Sequence, residues 1–193
     1  MKRFPVLPVR KIVGQPDIIG IGAGKRALPR LVAAATAVGE ADSWVVVDFD
    51  GIDMVSASAA RESVLAFIAF LNERGVLPVH VNLNDESLEE VAFAAEALGR
   101  PVVTASSIVK DIPKGIRVLG TLDAKQLQTL RIVAELGEAD AKSASDASQD
   151  ASTGVTAWNN RLSILAGMRF LQVRKAGKTK YYSLTLKGLV DGN

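Results

Sequence analysis

The sequence contains no cysteine and only one histidine, His80. Disulfides, thiolate nucleophiles and cysteine-ligated metals are therefore excluded, and a single histidine excludes a histidine pair for zinc. No Ser-His-acid set is evident. We expect a protein that is not an enzyme and that needs no metal or cofactor, with His80 packed within an apolar strand.

Long apolar runs are also missing, since none approaches the roughly 20 residues of a membrane-spanning helix. Near Met1, Pro5, Pro8 and the basic pair Arg10-Lys11 keep the apolar stretch too short for a signal peptide. Together with the missing cysteines, this pattern predicts a cytoplasmic protein without a membrane partner.

Acidic residues are absent from positions 158–190, which contain seven Lys and Arg residues. Residues 31–100 have the opposite bias, with three basic residues against twelve acidic ones. The net charge of +2 therefore conceals a basic end and an acidic middle. This segregation is typical of a protein in which one domain binds a polyanion and the other does not.

With 193 residues, the chain has room for two small domains. Residues 6–22 predict two short strands in a hairpin. Helical and strand patterns then alternate, which predicts an α/β domain over 1–106. The predicted elements are a helix at 28–38, a strand at 44–49, a helix at 59–74, a strand at 77–83, a helix from Asn84 or Asp85 to Leu98, and a strand at 101–104.

The periodicity lapses around Pro113 and Gly115, so we predict a linker at 107–120 and a second domain at 121–193. Asp123 and Gln126 resemble a capping box that opens a helix. Residues 139–152 are nearly all Ala, Ser, Asp and Lys, which fits either a disordered linker or a small helix. A helix over 153–167 and two β-runs flanking Ala176-Gly177 follow.

Helix, small helix, helix and basic hairpin is the order of a winged helix-turn-helix. At about 100° per residue, the third helix has one apolar side that faces the core. This core side consists of Val155, Trp158, Leu162, Leu165 and Ala166. The other side consists of the candidate DNA-binding residues Thr153, Thr156, Ala157, Asn160 and Arg161.

Asn160 and Arg161 are the principal candidates for reading bases, because Asn pairs with adenine and Arg with guanine in the major groove. Asn159 lies nearer the buried edge, where it contacts either DNA or the protein itself. In the hairpin, four cations surround a glycine and could follow the phosphate backbone, or the hairpin is merely solvated. These cations are Arg174, Lys175, Lys178 and Lys180.

The segment Thr156-Ala-Trp-Asn-Asn-Arg-Leu162, followed by Gly-Met-Arg-Phe-Leu and the basic hairpin, resembles bacterial winged-helix regulators of the MarR and ArsR groups. The resemblance covers about residues 121–187. It implies a transcriptional regulator that binds double-stranded DNA. We expect a homodimer, because helix-turn-helix proteins often pair to read two half-sites.

The segment Val45-Val-Val-Asp-Phe-Asp-Gly-Ile-Asp-Met-Val-Ser-Ala-Ser58 is similar to STAS-like domains related to anti-sigma-factor antagonists, over about residues 8–105. The resemblance implies a mixed sheet with helices, and a regulatory serine at a helix N-terminus that favours phosphate. Ser56 and Ser58 are the candidates. The antagonists carry Asp-Ser-Ser-Gly here, whereas Ala57 stands at the phosphorylated position, so both serines are either helix caps or regulatory.

The glycine-rich segment Gly20–Arg26 does not fit a P-loop, because Ile19 and Arg26 stand where that motif needs Gly and Ser or Thr. Two functions remain. One is a DNA-binding transcriptional regulator whose STAS-like half dimerises or senses a partner. The other is an adaptor in a partner-switching pathway, whose winged helix binds a regulatory protein.

Overall fold

The computed structural model describes residues 4–38, 43–148 and 153–190. The chain divides into two compact units, with the boundary between Thr121 and Leu122. The predicted α/β class is confirmed, and the main sheet mixes parallel and antiparallel strands. Among the described residues, no helix is long and apolar enough to cross a membrane.

Fourteen elements make up the described part of the first unit, and five that of the second. The first has β1 (Val6–Pro8), α1 (Val9–Val13), β2 (Asp17–Ile18), α2 (Gly20–Ala34), β3 (Trp44–Asp48), β4 (Met54–Val55), α3 (Ala57–Glu62), α4 (Val64–Glu73), β5 (Leu77–Val81), α5 (Asp85–Ala97), β6 (Val102–Thr104), β7 (Ser107–Val109), β8 (Ile112–Lys114) and β9 (Arg117–Leu119). The second has α6 (Ala124–Leu136), α7 (Ala141–Ala147), α8 (Val155–Gly167), β10 (Leu171–Ala176) and β11 (Thr179–Leu184).

The main sheet has the strand order β1-β3-β5-β6-β9. The first four strands are parallel, and β9 is antiparallel to β6. Because each parallel strand is added on the same side of the last, right-handed crossovers place the connecting helices on one face. Val45 and Val47 of β3 accordingly share one hydrophobic core with Leu65 of α4 and Val91 of α5.

The hairpin predicted over residues 6–22 is wrong. β1 pairs in parallel with β3, β2 pairs in parallel with β4, and the short helix α1 lies between them. Gly14 ends α1 in the left-handed conformation, with φ of 77°. The strand partners are remote in sequence, so local pattern alone did not predict them.

Helix α2 begins eight residues earlier than predicted, at Gly20, and Pro29 lies inside it. Glycine has low helix propensity, but Gly24 serves packing. A Cβ at Gly24 would lie 2.6 Å from the Ala59 carbonyl oxygen and 2.9 Å from Glu62 Cβ. The glycine-rich segment is therefore a helix start that packs closely on α3.

The single long helix predicted over 59–74 is two helices, α3 and α4, that meet at Ser63. The Ser63 hydroxyl donates to the Ala59 carbonyl at 2.7 Å. Such back-bonding by serine often bends a helix. Buried Ser63 therefore marks the junction between the two helices, where its φ of −117° and ψ of −71° depart from helical values.

The predicted linker at 107–120 consists largely of strands. β7 and β8 form a hairpin in which Lys110 and Asp111 both have positive φ, at 48° and 64°. β9 is the antiparallel edge of the main sheet. These residues therefore belong to the first unit and do not link two units.

Local capping signals were predicted well. Asn84 caps α5 by accepting from the Ser87 amide at 2.9 Å. Asp123 and Gln126 form a complete capping box at α6, with distances of 2.8 and 2.9 Å. Each cap is an interaction between residues three apart, which the sequence displays directly.

In the second unit, residues 141–147 form the small helix that was one of two alternatives for this segment. Residues 149–152 lie outside the described residues. Just before α7, Ala139 exchanges backbone hydrogen bonds of 2.9 and 2.8 Å with Tyr182 of β11. The order is therefore helix, bridge residue, helix, helix and two-stranded hairpin.

Candidate functional site

Helix α8 buries one side in the core of the second unit and exposes much of the other side to solvent. Trp158, Leu162 and Leu165 have no exposed surface, and Ala166 is buried as predicted. Val155, predicted on the core side, is 48% exposed. Its position at the first turn of α8, ahead of the tightly packed turns, explains the difference.

An open cleft of about 510 Å³ lies between the start of α7, the first turns of α8 and the hairpin tip. We call it the α8 cleft. Four of the predicted DNA-binding residues meet in it, namely Thr156, Asn159, Lys178 and Lys180. Asp140, Ala141, Lys142, Val155 and Thr179 complete the lining. Lys142 was missed because its segment carried no predicted function.

Asn160 is exposed as predicted, whereas Asn159 lies farther from the core than predicted. Asn159, predicted near the buried edge, is exposed and lines the α8 cleft. Asn160 is exposed but does not line the cleft. Ala157 is half-buried. The periodicity of α8 could be predicted from the sequence, but only the position of the hairpin shows which outward residue faces its lysines.

Arg161 does not project freely from the outer side of α8. Its guanidinium lies 4.8 Å from the centre of the Trp158 ring, and its Nη1 donates to Gln128 Oε1 of α6 at 3.5 Å. The side chain is half-buried. Arg161 is therefore held against the protein by the Trp158 ring of its own helix and by the Gln128 amide of α6.

Arg174 carries a partner that the acid-free segment did not reveal. Its Nε and Nη2 donate to Glu138 Oε1 and Oε2 at 3.0 and 2.6 Å. This bidentate pair holds the pKa of Glu138 below its usual range. The expectation that all four hairpin cations are available to a polyanion therefore fails for Arg174.

Unlike Arg174, the lysines of the hairpin form no salt bridge with a described residue. Lys175 and Lys180 stand directly opposite each other across β10 and β11. Like charges in this position destabilise a strand pair. Within residues 4–38, 43–148 and 153–190, neither this lysine pair nor Lys178 nor Lys142 forms a salt bridge.

Among the described residues, Asp140 is the one acid that lines the cleft, and its charge is engaged at the start of α7. Its carboxylate accepts from the Ser143 amide at 2.7 Å, and this hydrogen bond lowers its pKa. The remaining lining side chains are cationic, neutral polar or apolar. The cleft as a whole therefore favours an anion.

Thr153 lies just before α8 and is half-buried. Its carbonyl accepts from the Ser145 hydroxyl at 3.4 Å. This contact joins the segment before α8 to α7. Thr153 does not line the α8 cleft.

The predicted regulatory serines lie at the start of α3. Ser56 is the N-cap residue, and its Oγ accepts from the amides of Gly20 and Ala59 at 2.9 and 3.4 Å. Ser58 Oγ lies 3.3 Å from Ser56 Oγ. The Ala57 amide donates to a Glu90 carboxylate oxygen. A carboxylate thus already occupies a helix-start amide that a phosphate would use.

Among the described residues, no group of three or more His, Cys, Asp or Glu side chains could hold a metal ion. Comparison with known protein families, curated proteins and solved structures finds no match for this chain.

Proposed function

We propose that the second unit is a winged helix-turn-helix that binds double-stranded DNA, and that the protein is a transcriptional regulator. The chain order supports this proposal. A helix, a bridge residue paired to the hairpin, two further helices and a two-stranded hairpin follow one another within residues 124–184. In such domains the third helix enters the major groove.

The observation that carries the proposal is the α8 cleft. It places Asn159 and Thr156, at the start of a helix, opposite Lys178 and Lys180. Gly154 caps α8 without a side chain, so the helix start keeps its attraction for a phosphate. Unpaired cations facing polar side chains on a helix start are suited to phosphates beside base edges.

The roles of the cleft residues follow from their chemistry. We assign base reading to Asn159, since its amide can pair with adenine. Thr156 suits a phosphate or a thymine methyl group. The lysines supply affinity without sequence choice, because they neutralise phosphates.

Salt dependence tests the proposal. The three lysines of the cleft and Lys175 of the hairpin, if they neutralise four phosphates, predict a slope of about −3.6 for the logarithm of the binding constant against the logarithm of salt. Affinity for a random-sequence duplex, measured by fluorescence anisotropy, should fall by about two orders of magnitude between ~50 and ~200 mM salt. No binding at low salt would refute DNA binding and favour the protein-adaptor function.

A charge-matched pair of variants tests the site. Lys178→Gln with Lys180→Gln should make the slope shallower by about 1.8. Lys125→Gln with Lys187→Gln removes the same charge from exposed residues outside the cleft and should leave the slope nearly unchanged. An equal effect of the two double variants would refute the assignment to the α8 cleft.

Selection of preferred DNA sequences from a random pool tests whether Asn159 reads bases. Asn159→Ala should relax the preference among duplexes recovered from a random pool, at a cost of about 1–3 kcal/mol for the preferred site. Asn160→Ala is the neighbouring control and should retain the preference. The opposite result would restore Asn160 as the base reader.

We also propose that the protein acts as a homodimer and that the first unit dimerises or senses a partner. Two-fold symmetric regulators read two half-sites about one helical turn apart. Sedimentation of the protein with its selected duplex should give two chains per site. One chain per site would refute the dimer.

A further inference from the structure

A second cavity lies in the first unit, at the carboxyl ends of β5 and β6. Its volume is about 300 Å³, at the small end of ligand pockets. In open sheets with parallel strands, ligands bind beyond this edge. The polar lining residues are His80, Asn82, Thr104, Ser106 and Arg117, and Leu88 of α5 contributes an apolar wall.

His80 has an unsatisfied polar atom. The residue is 1% exposed, and its Nδ1 lies 2.9 Å from the Val103 carbonyl oxygen. Since a carbonyl can only accept, Nδ1 carries the proton and Nε2 is left as an acceptor. Nε2 has no hydrogen-bond partner among the described residues. Buried polar atoms are rarely left unpaired, so Nε2 is a candidate acceptor for a bound donor.

Arg117 gives the cavity a hydrogen-bond donor and a positive charge, whereas His80 Nε2 is an acceptor. Arg117 lines the cavity, is exposed and forms no salt bridge with any described residue. The Thr104 hydroxyl donates to the Arg117 carbonyl at 3.3 Å, which ties the start of β9 to β6. No Asp or Glu of the described ranges lines the cavity. The guanidinium is therefore available to an anionic group, which arginine binds through paired donors.

Asn82 and Ser106 are partly engaged. The Asn82 amide nitrogen donates to Asp48 at 2.8 Å, and the Ser106 hydroxyl donates to the Lys114 carbonyl at 3.0 Å. Their oxygens still have lone pairs that can accept. The cavity thus combines acceptors for a hydroxyl with one cation.

We propose that this cavity binds a small organic oxyanion that carries a hydroxyl group. The hydroxyl donates to His80 Nε2, and the carboxylate or phosphate group pairs with Arg117. The site is separate from the α8 cleft, and its test does not depend on DNA binding.

Isothermal titration calorimetry of the full chain tests the ligand class with matched probes. L-malate is compared with succinate, and glycerol 3-phosphate with propyl phosphate, so that each pair differs in hydroxyl groups. The hydroxylated probe of at least one pair should bind about tenfold more tightly than its partner. The pair that shows this difference identifies the carboxylate or the phosphate as the anionic group. Equal affinity within both pairs, or no binding by any probe, would overturn the proposal.

Variants test the residues. Arg117→Gln removes an exposed cation and should weaken the better probe at least about tenfold. Lys114→Gln removes a nearby exposed cation that does not line the cavity, and should leave the affinity within about twofold. His80→Phe should abolish the preference for the hydroxyl. Because His80→Phe also removes the donor to Val103, Arg117→Gln is the decisive variant, and unchanged affinity in it would refute the site.

Discussion

Replacing Gly24 by alanine measures how closely α2 and α3 approach. The new Cβ would lie 2.6 Å from the Ala59 carbonyl oxygen and 2.9 Å from Glu62 Cβ. The first contact is with backbone, which can yield only if the helices separate. Overpacking of this kind costs about 1–3 kcal/mol, and the gain in helix propensity offsets about 1 kcal/mol. We expect the free energy of unfolding to fall by up to about 2 kcal/mol.

Gly22→Ala in the same helix is the matched control. Its Cβ would meet only Arg26 Nη1, at 3.3 Å, and a flexible side chain can move away. The propensity gain should then raise stability by about 0.5–1 kcal/mol. Urea denaturation followed by circular dichroism gives both free energies, and hydrogen exchange of α2 peptides locates the change. Equal stability of the two variants would refute the close helix approach.

Three further predictions concern charges and caps. Glu138→Gln should release Arg174 to the DNA, so that the salt slope becomes steeper by about 0.9; an unchanged slope would show that Arg174 does not reach a phosphate. Burial lowers the pKa of His80 to about 4, so stability should decline by up to about 3 kcal/mol as pH falls from 6.5 toward 4, where the unfolded chain binds the extra proton. An NMR titration of this single histidine checks the value, and a pKa near 6.5 would contradict it. Asp123→Ala should cost about 1 kcal/mol by removing the cap of α6, whereas Asp146→Ala on the exposed face of α7 should cost little; urea denaturation compares them.

Features that depend on near neighbours in the chain could be predicted from the amino-acid sequence alone. The caps at Asn84 and Asp123, strand β3 and the apolar side of α8 all result from contacts a few residues apart or from a simple period. The small helix α7 was left open, because its residues bury so little apolar surface. Such local patterns gave the α/β class and most elements of the second unit.

Features that depend on a partner remote in the chain are visible only in the folded protein. β1 lies parallel to β3, Gly24 meets Ala59, and residues 117–119 join the main sheet although their periodicity is weak. The same reason governs the candidate sites. Glu138 reaches Arg174 across 36 residues, and the hairpin selects Asn159 over Asn160, because side chains pair by distance in space and not along the chain.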